Sequence, residues 1–240
     1  MPHQSTAAEN AMRIVGNLSL MALPLLLALA FVLHYTTISD FLVFKLVKPP
    51  YSAEQLLHTL TSADKGFRFY TLPHLVGYVA LPLFIPASLM LANVLFRKTP
   101  WHALVGATLT CVGVVFMGGV FGAWLSFAAV GDVPAEQAGS LLPVLQALTT
   151  MQGSLMISSA LSALTFLGMI ILGFGLYQSR IIPRWAAAFF ILGNILILAF
   201  IELDNWMFIG AVLMLVGLFP LSMKLLRIER GPMVVSGSTD

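Results

Sequence analysis

The chain has 240 residues, of which 59% are hydrophobic and only 9% charged, with a formal net charge of +2 and a mean hydropathy of +0.94. A soluble domain carries roughly 25% charged residues, so water cannot solvate a surface this poor in charge and lipid must cover most of it. The charge balance also argues against a nucleic-acid partner: no basic run is longer than the pair Arg97-Lys98, whereas binding to phosphate needs a basic patch or stripe.

The expected fold is all-α, a polytopic transmembrane helical bundle of about six spans, since each crossing takes about 20 apolar residues. The N-terminal stretch MPHQSTAAENAMR is polar and has no basic cluster, and no small-residue cleavage site follows it. The first apolar run, 14–36, is therefore read as a retained span and not a signal peptide. An outer loop, 37–72, follows. Within it Pro49-Pro50 precede Ser52-Ala-Glu-Gln, a capping-box pattern. A short helix should start there with Leu56, Leu57 and Leu60 on one side, lying on the membrane surface or over the bundle mouth.

Span two, 74–96, opens after Pro73, where a missing N–H costs nothing. It contains Pro82 and Pro86, each of which removes a backbone hydrogen bond and predicts a kink. Span three, 101–130, opens after Pro100 and carries Gly106, Gly113, Gly118, Gly119 and Gly122. Gly118 and Gly122 form a small-xxx-small pair. No charge occurs between Glu136 and Arg180, a stretch too long for one span. The crossing is placed at 153–177, with 141–150 as a lead-in helix or an extension. Ser154, Ser158 and Ser162 make a small, weakly polar stripe along it. Such residues suit close packing of spans three and four; a homodimer face or a polar pathway is the sharper reading. Spans five and six, 183–201 and 206–222, are joined by a turn containing Glu202, Asp204 and Asn205. Residues 1–230 thus form one bundle, and the small, polar tail 231–240 is expected to be disordered.

Basic residues set the orientation. With the N-terminus cytoplasmic, Arg13, Arg97, Lys98, Arg180, Arg184, Lys224, Arg227 and Arg230 face inward. Only Lys45, Lys48, Lys65 and Arg68 face outward, all in the first loop. Both termini are then cytoplasmic. The links between spans two and three (Phe96-Arg97-Lys98-Thr99-Pro100-Trp101) and between spans four and five (177–185) echo each other. Each is explained by proline opening the next helix and tryptophan at the interface.

Polar residues gather on the opposite, outer side: His34, Asp40, His58, His74, Asp132, Glu136, Glu202, Asp204 and Asn205. Glu202 is the acid best placed to reach inward. His34 and His74 stand at similar depth on neighbouring spans, and histidine pairs at such a level can hold haem or a metal. Neither belongs to a dense ligand motif such as HxxxH, and a polar anchor is the simpler reading, so no cofactor, metal or catalytic residue is assigned. Gln152 and Asn194 are intramembrane amides that should bond to neighbouring helices. No acidic or basic residue stands at mid-span, which weighs against a proton-coupled pump or voltage sensor. The single cysteine, Cys111, has no partner for a disulfide and reads as a packing residue. P-loop, GxSxG, HExxH and dinucleotide fingerprints are absent.

The segment Gly175-Leu-Tyr-Gln-Ser-Arg-Ile-Ile-Pro-Arg-Trp185 resembles a loop of the form LY-x-S-x-x-(V/I)-P-R-W that links the fourth and fifth spans of a bacterial family of six-span integral membrane proteins classified as a domain of unknown function. The resemblance implies a six-span bundle in a bacterial inner membrane and brings no catalytic residue with it. The leading functional expectation is a non-catalytic accessory, binding or sensing component whose partners are the bilayer and a membrane protein or a second copy. A small-solute transporter, suggested by Pro82, Pro86 and the serine stripe, is the alternative. A haem- or metal-binding redox protein using His34 and His74 comes third.

Overall fold

A computed structural model describes residues 7–229 except 36, 45, 47–51, 63–65, 151–152 and 202. The expected tail and Lys45, Lys48, Lys65 and Arg230 of the orientation argument lie outside the described residues. Every regular element among the described residues is helical. In chain order they are α1 (Ala7–Leu33), α2 (Ile38–Phe41), α3 (Ala53–Thr61), α4 (Leu72–Ala80), α5 (Phe84–Leu95), α6 (Pro100–Ser126), α7 (Ala135–Ala138), α8 (Leu142–Thr149), α9 (Ser154–Ser162), α10 (Leu164–Ser179), α11 (Arg184–Ala199) and α12 (Asp204–Glu229). A π-helical turn, Gly66–Thr71, leads into α4, and 3-10 turns occupy Leu81–Leu83, Phe127–Asp132 and Gly139–Leu141.

Five continuous stretches are long and apolar enough to cross a membrane: Arg13–Leu33, Gly66–Leu95, Pro100–Asp132, Ser154–Ser179 and Asp204–Leu226. The second begins at Gly66, ahead of the start at residue 74 read from sequence, because the π-helical turn continues the helix backwards. α11 is apolar but has only 16 residues, about 24 Å at 1.5 Å per residue, against a hydrocarbon layer of about 30 Å.

The long helices pack in a closed ring: α1 against α4 and α5, α5 against α6, α6 against α10, α10 against α11, α11 against α12, and α12 back against α1. The interior is apolar, with Leu20, Phe84, Leu91, Met169, Leu172, Phe190 and Met214 buried together. A second, smaller core lies at the end where α1 finishes. There Ala53, Leu56 and Leu60 of α3 pack on Tyr70, Phe127 and Leu145, so the predicted loop helix sits against the turn after α6 and against α8.

The closest backbone approach joins α6 to α10. A Cβ on Gly113 would run into the Thr165 amide, and one on Gly168 into Gly106 O and Thr110 Oγ1. Thr110 Oγ1 uses that proximity, donating to Gly106 O at 2.9 Å and to Thr165 O at 3.4 Å across the interface. The expected contact at Gly118 and Gly122 is not part of it: a Cβ at either position meets nothing within 4 Å. Beyond Ala163 the partner of α6 is α9, none of whose residues is buried, and among the described residues nothing comes within 4 Å of a Cβ placed on the later glycines of α6.

At Pro82 the helix tightens into the 3-10 turn Leu81–Leu83 and does not end. Proline cannot bond back to the carbonyl of Tyr78. The Leu81 N–H takes that carbonyl, and the Phe84 N–H takes Leu81 O. Pro86 falls in the first turn of α5, where a missing donor is tolerated.

At α3 the capping box is complete: the Gln55 amide donates to Ser52 Oγ and the Ser52 amide to Gln55 Oε1, both at 3.2 Å. Hydrogen bonds from its own backbone N–H and from the Ser52 hydroxyl hold the Glu54 carboxyl below the usual glutamate range.

Three outcomes are expected. Gly168→Val should lower stability in detergent by about 1–3 kcal/mol through overpacking, whereas Gly118→Ala and Gly122→Ala should stay within about 0.5 kcal/mol. Thermal unfolding checks this, and equal loss at all three positions would refute the packing assignment. Ser52→Ala should weaken α3 by about 1 kcal/mol. Because Glu54 titrates below its unfolded value near 4.3, its support of α3 is present above that pH and lost as pH falls through the lowered folded value. Hydrogen exchange in α3 should speed up over that range.

Candidate functional site

The end of the bundle where α1 finishes is also where α4 and α12 begin, and helix ends are where a chain this apolar places its polar groups. His34 lies one residue past α1, His74 in the first turn of α4, and Asp204 at the first position of α12. The fold brings these three together. His34 Nδ1 is 3.4 Å from Asp204 Oδ1, each side chain about one-quarter exposed (24% and 26%). The His34 and His74 rings meet edge to face, with centroids 5.1 Å apart and planes at 88°.

His74 is oriented from several directions. Its Nδ1 is 2.7 Å from Tyr70 O. A carbonyl only accepts, so Nδ1 carries the proton, and in the neutral ring the lone pair is on Nε2. The Tyr70 ring lies 4.5 Å away, Trp124 stacks at 6.0 Å, and Phe121 stands at 6.3 Å. Tyr70 is itself fixed by its hydroxyl, which donates to Trp124 O at 2.9 Å. The π-helical turn sets Tyr70 in this place, one helical turn before His74.

On the α12 side, the Asn205 amide donates to the Tyr35 hydroxyl at 3.0 Å, and Asn205 Nδ2 donates to Val43 O at 3.0 Å. Asn205 Oδ1 accepts the Trp206 N–H. Asn205 therefore ties the segment after α1 to the start of α12, and it is buried (3% exposed). Burial, and then the negative charge of Asp204, push the Tyr35 phenol above its ordinary value, while the Asn205 amide pulls it back in part.

The other sequence candidates are dispersed. Thr37 Oγ1 donates to Asp40 Oδ2 (2.8 Å) and accepts the Asp40 N–H (3.1 Å), so Asp40 takes part in the cap of α2. His58 is exposed in the last turn of α3, Asp132 is exposed after α6, and Glu136 belongs to α7. Gln152 and Glu202 lie outside the described residues. Asn194 is fully buried and bonds within its own helix, Nδ2 to Phe190 O at 2.8 Å. Among the described residues its Oδ1 has no partner. Ser154 is exposed and Ser158 half-buried, and Ser162 Oγ bonds to Ser159 O on its own helix. One buried bond between side chains of different helices is not suggested by the sequence: Ser222 Oγ donates to Asn17 Oδ1 at 2.7 Å, joining α12 to α1. Two polar residues at matching depth near the far ends of spans six and one were its only signal.

Sequence reading also passed over Tyr35, Tyr70 and Trp124, which look like ordinary interfacial aromatics until the helices are placed. Together the cluster offers two imidazoles, a carboxylate and two phenols where three helices meet. Imidazole and carboxylate groups of this kind can change their charge. Among the described residues, no three His, Cys, Asp or Glu side chains group so as to hold a metal ion together.

Fold and site define a class: an all-helical bundle with five helices long and apolar enough to cross a membrane, fastened at one end by a histidine–carboxylate junction. Comparison with family models, with curated proteins and with solved structures finds no match.

The geometry predicts the behaviour of Tyr35. A raised phenol contributes stability that is intact below the ordinary tyrosine value near 10 and is lost as pH rises through the folded value. In an alkaline titration the absorbance component removed by Tyr35→Phe should ionise above a free tyrosine. Asp204→Asn should move that component downward. A component that titrates like free tyrosine and ignores Asp204→Asn would contradict the arrangement.

Proposed function

We propose that the protein is an integral membrane component of about six spans, with both termini cytoplasmic, set in a bacterial inner membrane, and that it binds or senses instead of catalysing. The five long apolar helices support the membrane reading. α11 supports a sixth span, because its glycine contacts follow α12 from Gly217 beside Ala186 and Phe190 to Gly210 beside Gly193 and Ile197. The excess of Lys and Arg at one end supports the orientation. The loop 175–185, through its resemblance to the six-span bacterial family, supports the span count and the inner-membrane location.

The observation that carries the functional reading is the contact of His34 with both Asp204 and His74. It couples the ends of α1, α4 and α12 through groups whose charge depends on what reaches them. A proton or small cation arriving at an imidazole changes both its attraction to Asp204 and its compatibility with the second ring. The meeting of three helices is thereby biased, as a sensing element requires. On this reading the junction faces the extracytoplasmic side.

Trp124, stacked on His74, is a built-in reporter. With the protein in nanodiscs, acidification over roughly pH 8 to 5, where imidazoles ordinarily change charge, should quench part of the tryptophan emission. His74→Gln should abolish the change, and Asp204→Asn should displace it. Solute flux or substrate turnover lost in the same variants would sink the sensing role in favour of transport or catalysis.

A metal or haem role has one specific observation behind it. His74 directs Nδ1 at the Tyr70 carbonyl, the arrangement that orients Nε2 toward a metal in metalloproteins, and the His34 ring stands beside it. A Soret band, or a transition metal that copurifies and is lost in both His34→Gln and His74→Gln, would establish that reading instead.

A further inference from the structure

The end of the bundle opposite the histidines gathers the links between α5 and α6 and between α10 and α11, together with the later turns of α12. Cations from three separate elements converge there on the loop that closes α10. Lys98 Nζ donates to Ser179 O at 3.2 Å, and Lys224 Nζ to Ile181 O at 3.3 Å. Arg180 lies between those two carbonyls in sequence, is exposed, and ends α10 in the left-handed region at φ 54°. The Arg184 guanidinium stands 5.3 Å over the Tyr177 ring. Neither loop, 96–99 or 180–183, contains an acidic residue.

Two features point to what this charge is for. An L-residue in the left-handed conformation costs about 1–2 kcal/mol, and glycine is the usual occupant of such a helix end. An arginine held there keeps a cation on the residue between the two lysine-bonded carbonyls despite the strain. The rim of the same end exposes Phe96 (61%), Trp101 (73%) and Trp185 (53%), aromatics of the kind that settle at headgroup level. Each lysine ammonium has three protons and gives one to a loop carbonyl, so both retain donors for phosphate oxygens.

We propose that Lys98, Arg180, Arg184 and Lys224 form a binding site for the phosphodiester headgroup of an anionic phospholipid in the leaflet at this end. The proposal rests on the membrane reading above but not on the role given to the histidines. The lysines lock the 177–184 loop, Arg180 and Arg184 neutralise the phosphate, and the aromatic rim holds the acyl chains alongside. Basic pockets between membrane helices recognise anionic headgroups in this way, each cation adding about 1 kcal/mol, or about fivefold.

The test is lipid retention by the full chain in nanodiscs of mixed phosphatidylglycerol and phosphatidylcholine, read by native mass spectrometry. The wild-type chain should retain phosphatidylglycerol in preference. Arg180→Gly, which suits the left-handed turn while removing the charge, should cut that preference about fivefold at an unfolding temperature no lower than that of the wild type. Arg180→Gly combined with Arg184→Gln should cut it further, and Arg68→Gln at the other end should leave it unchanged. Equal retention of both lipids, equal loss in Arg68→Gln, or no loss in Arg180→Gly would each overturn the proposal. Displacement of the lipid by millimolar inorganic phosphate would overturn it too, by making free phosphate the ligand. Failure of the chain to enter nanodiscs would instead sink the membrane reading.

Discussion

A peptide group needs a hydrogen-bond partner wherever it lies, and a chain with 9% charged residues offers water little surface from which to supply one. The backbone must therefore satisfy itself, and helices do this segment by segment. The irregularities show how strictly the constraint is met. At Pro82 the helix tightens so that the Leu81 amide takes the carbonyl proline leaves behind. Before α4 it widens into a π-helical turn and continues. At Ser179 it ends, and two lysines from other elements bond to carbonyls of the closing loop.

Once the backbone is self-sufficient, side chains decide how the helices meet, and small residues matter most. Gly113 and Gly168 let α6 and α10 touch backbone to backbone, and Gly193 and Gly210 do the same for α11 and α12. Some polar side chains inside the bundle, Ser19, Ser88 and Asn194 among them, bond back to their own helix, and others join helices. Thr110 bridges α6 to α10, and Asn17 with Ser222 joins α1 to α12. The remaining polar chemistry is driven to the two ends, which differ in kind. One holds imidazoles, phenols and a carboxylate in mutual contact; the other holds cations around a loop free of acids.

The two ends also differ in how they are built. At the histidine end, contacts run between side chains of separate helices, and a second small core of α3, α8 and the turn after α6 lies over them. A change in charge at His34 acts directly on Asp204 and His74. At the basic end, the lysines bond to backbone carbonyls, which carry no titratable charge. The first arrangement is built from titratable side chains in contact with one another, and the second from cations set on backbone carbonyls.

The helical fold and the approximate position of each long helix were legible in the sequence, because an apolar run of about 20 residues has the same meaning whichever way it faces. That His34, His74 and Asp204 belong to the same end, along with Asp40 and Asn205, was legible for a related reason, but which of them meet was not: depth along a helix follows from counting residues. Rotation about each helix axis does not. Gly118 and Gly122 share a face by spacing, but spacing does not say which helix that face meets, and α10 meets α6 at Gly113 instead. Asn194 was expected to reach another helix and bonds to its own. Tyr35, Tyr70 and Trp124 joined the histidines only when the helices were set side by side. Residue order determined the level of every group in this protein, whereas packing of the helices against one another decided what each group touches, because contact depends on azimuth and azimuth is settled by neighbours far away in the chain.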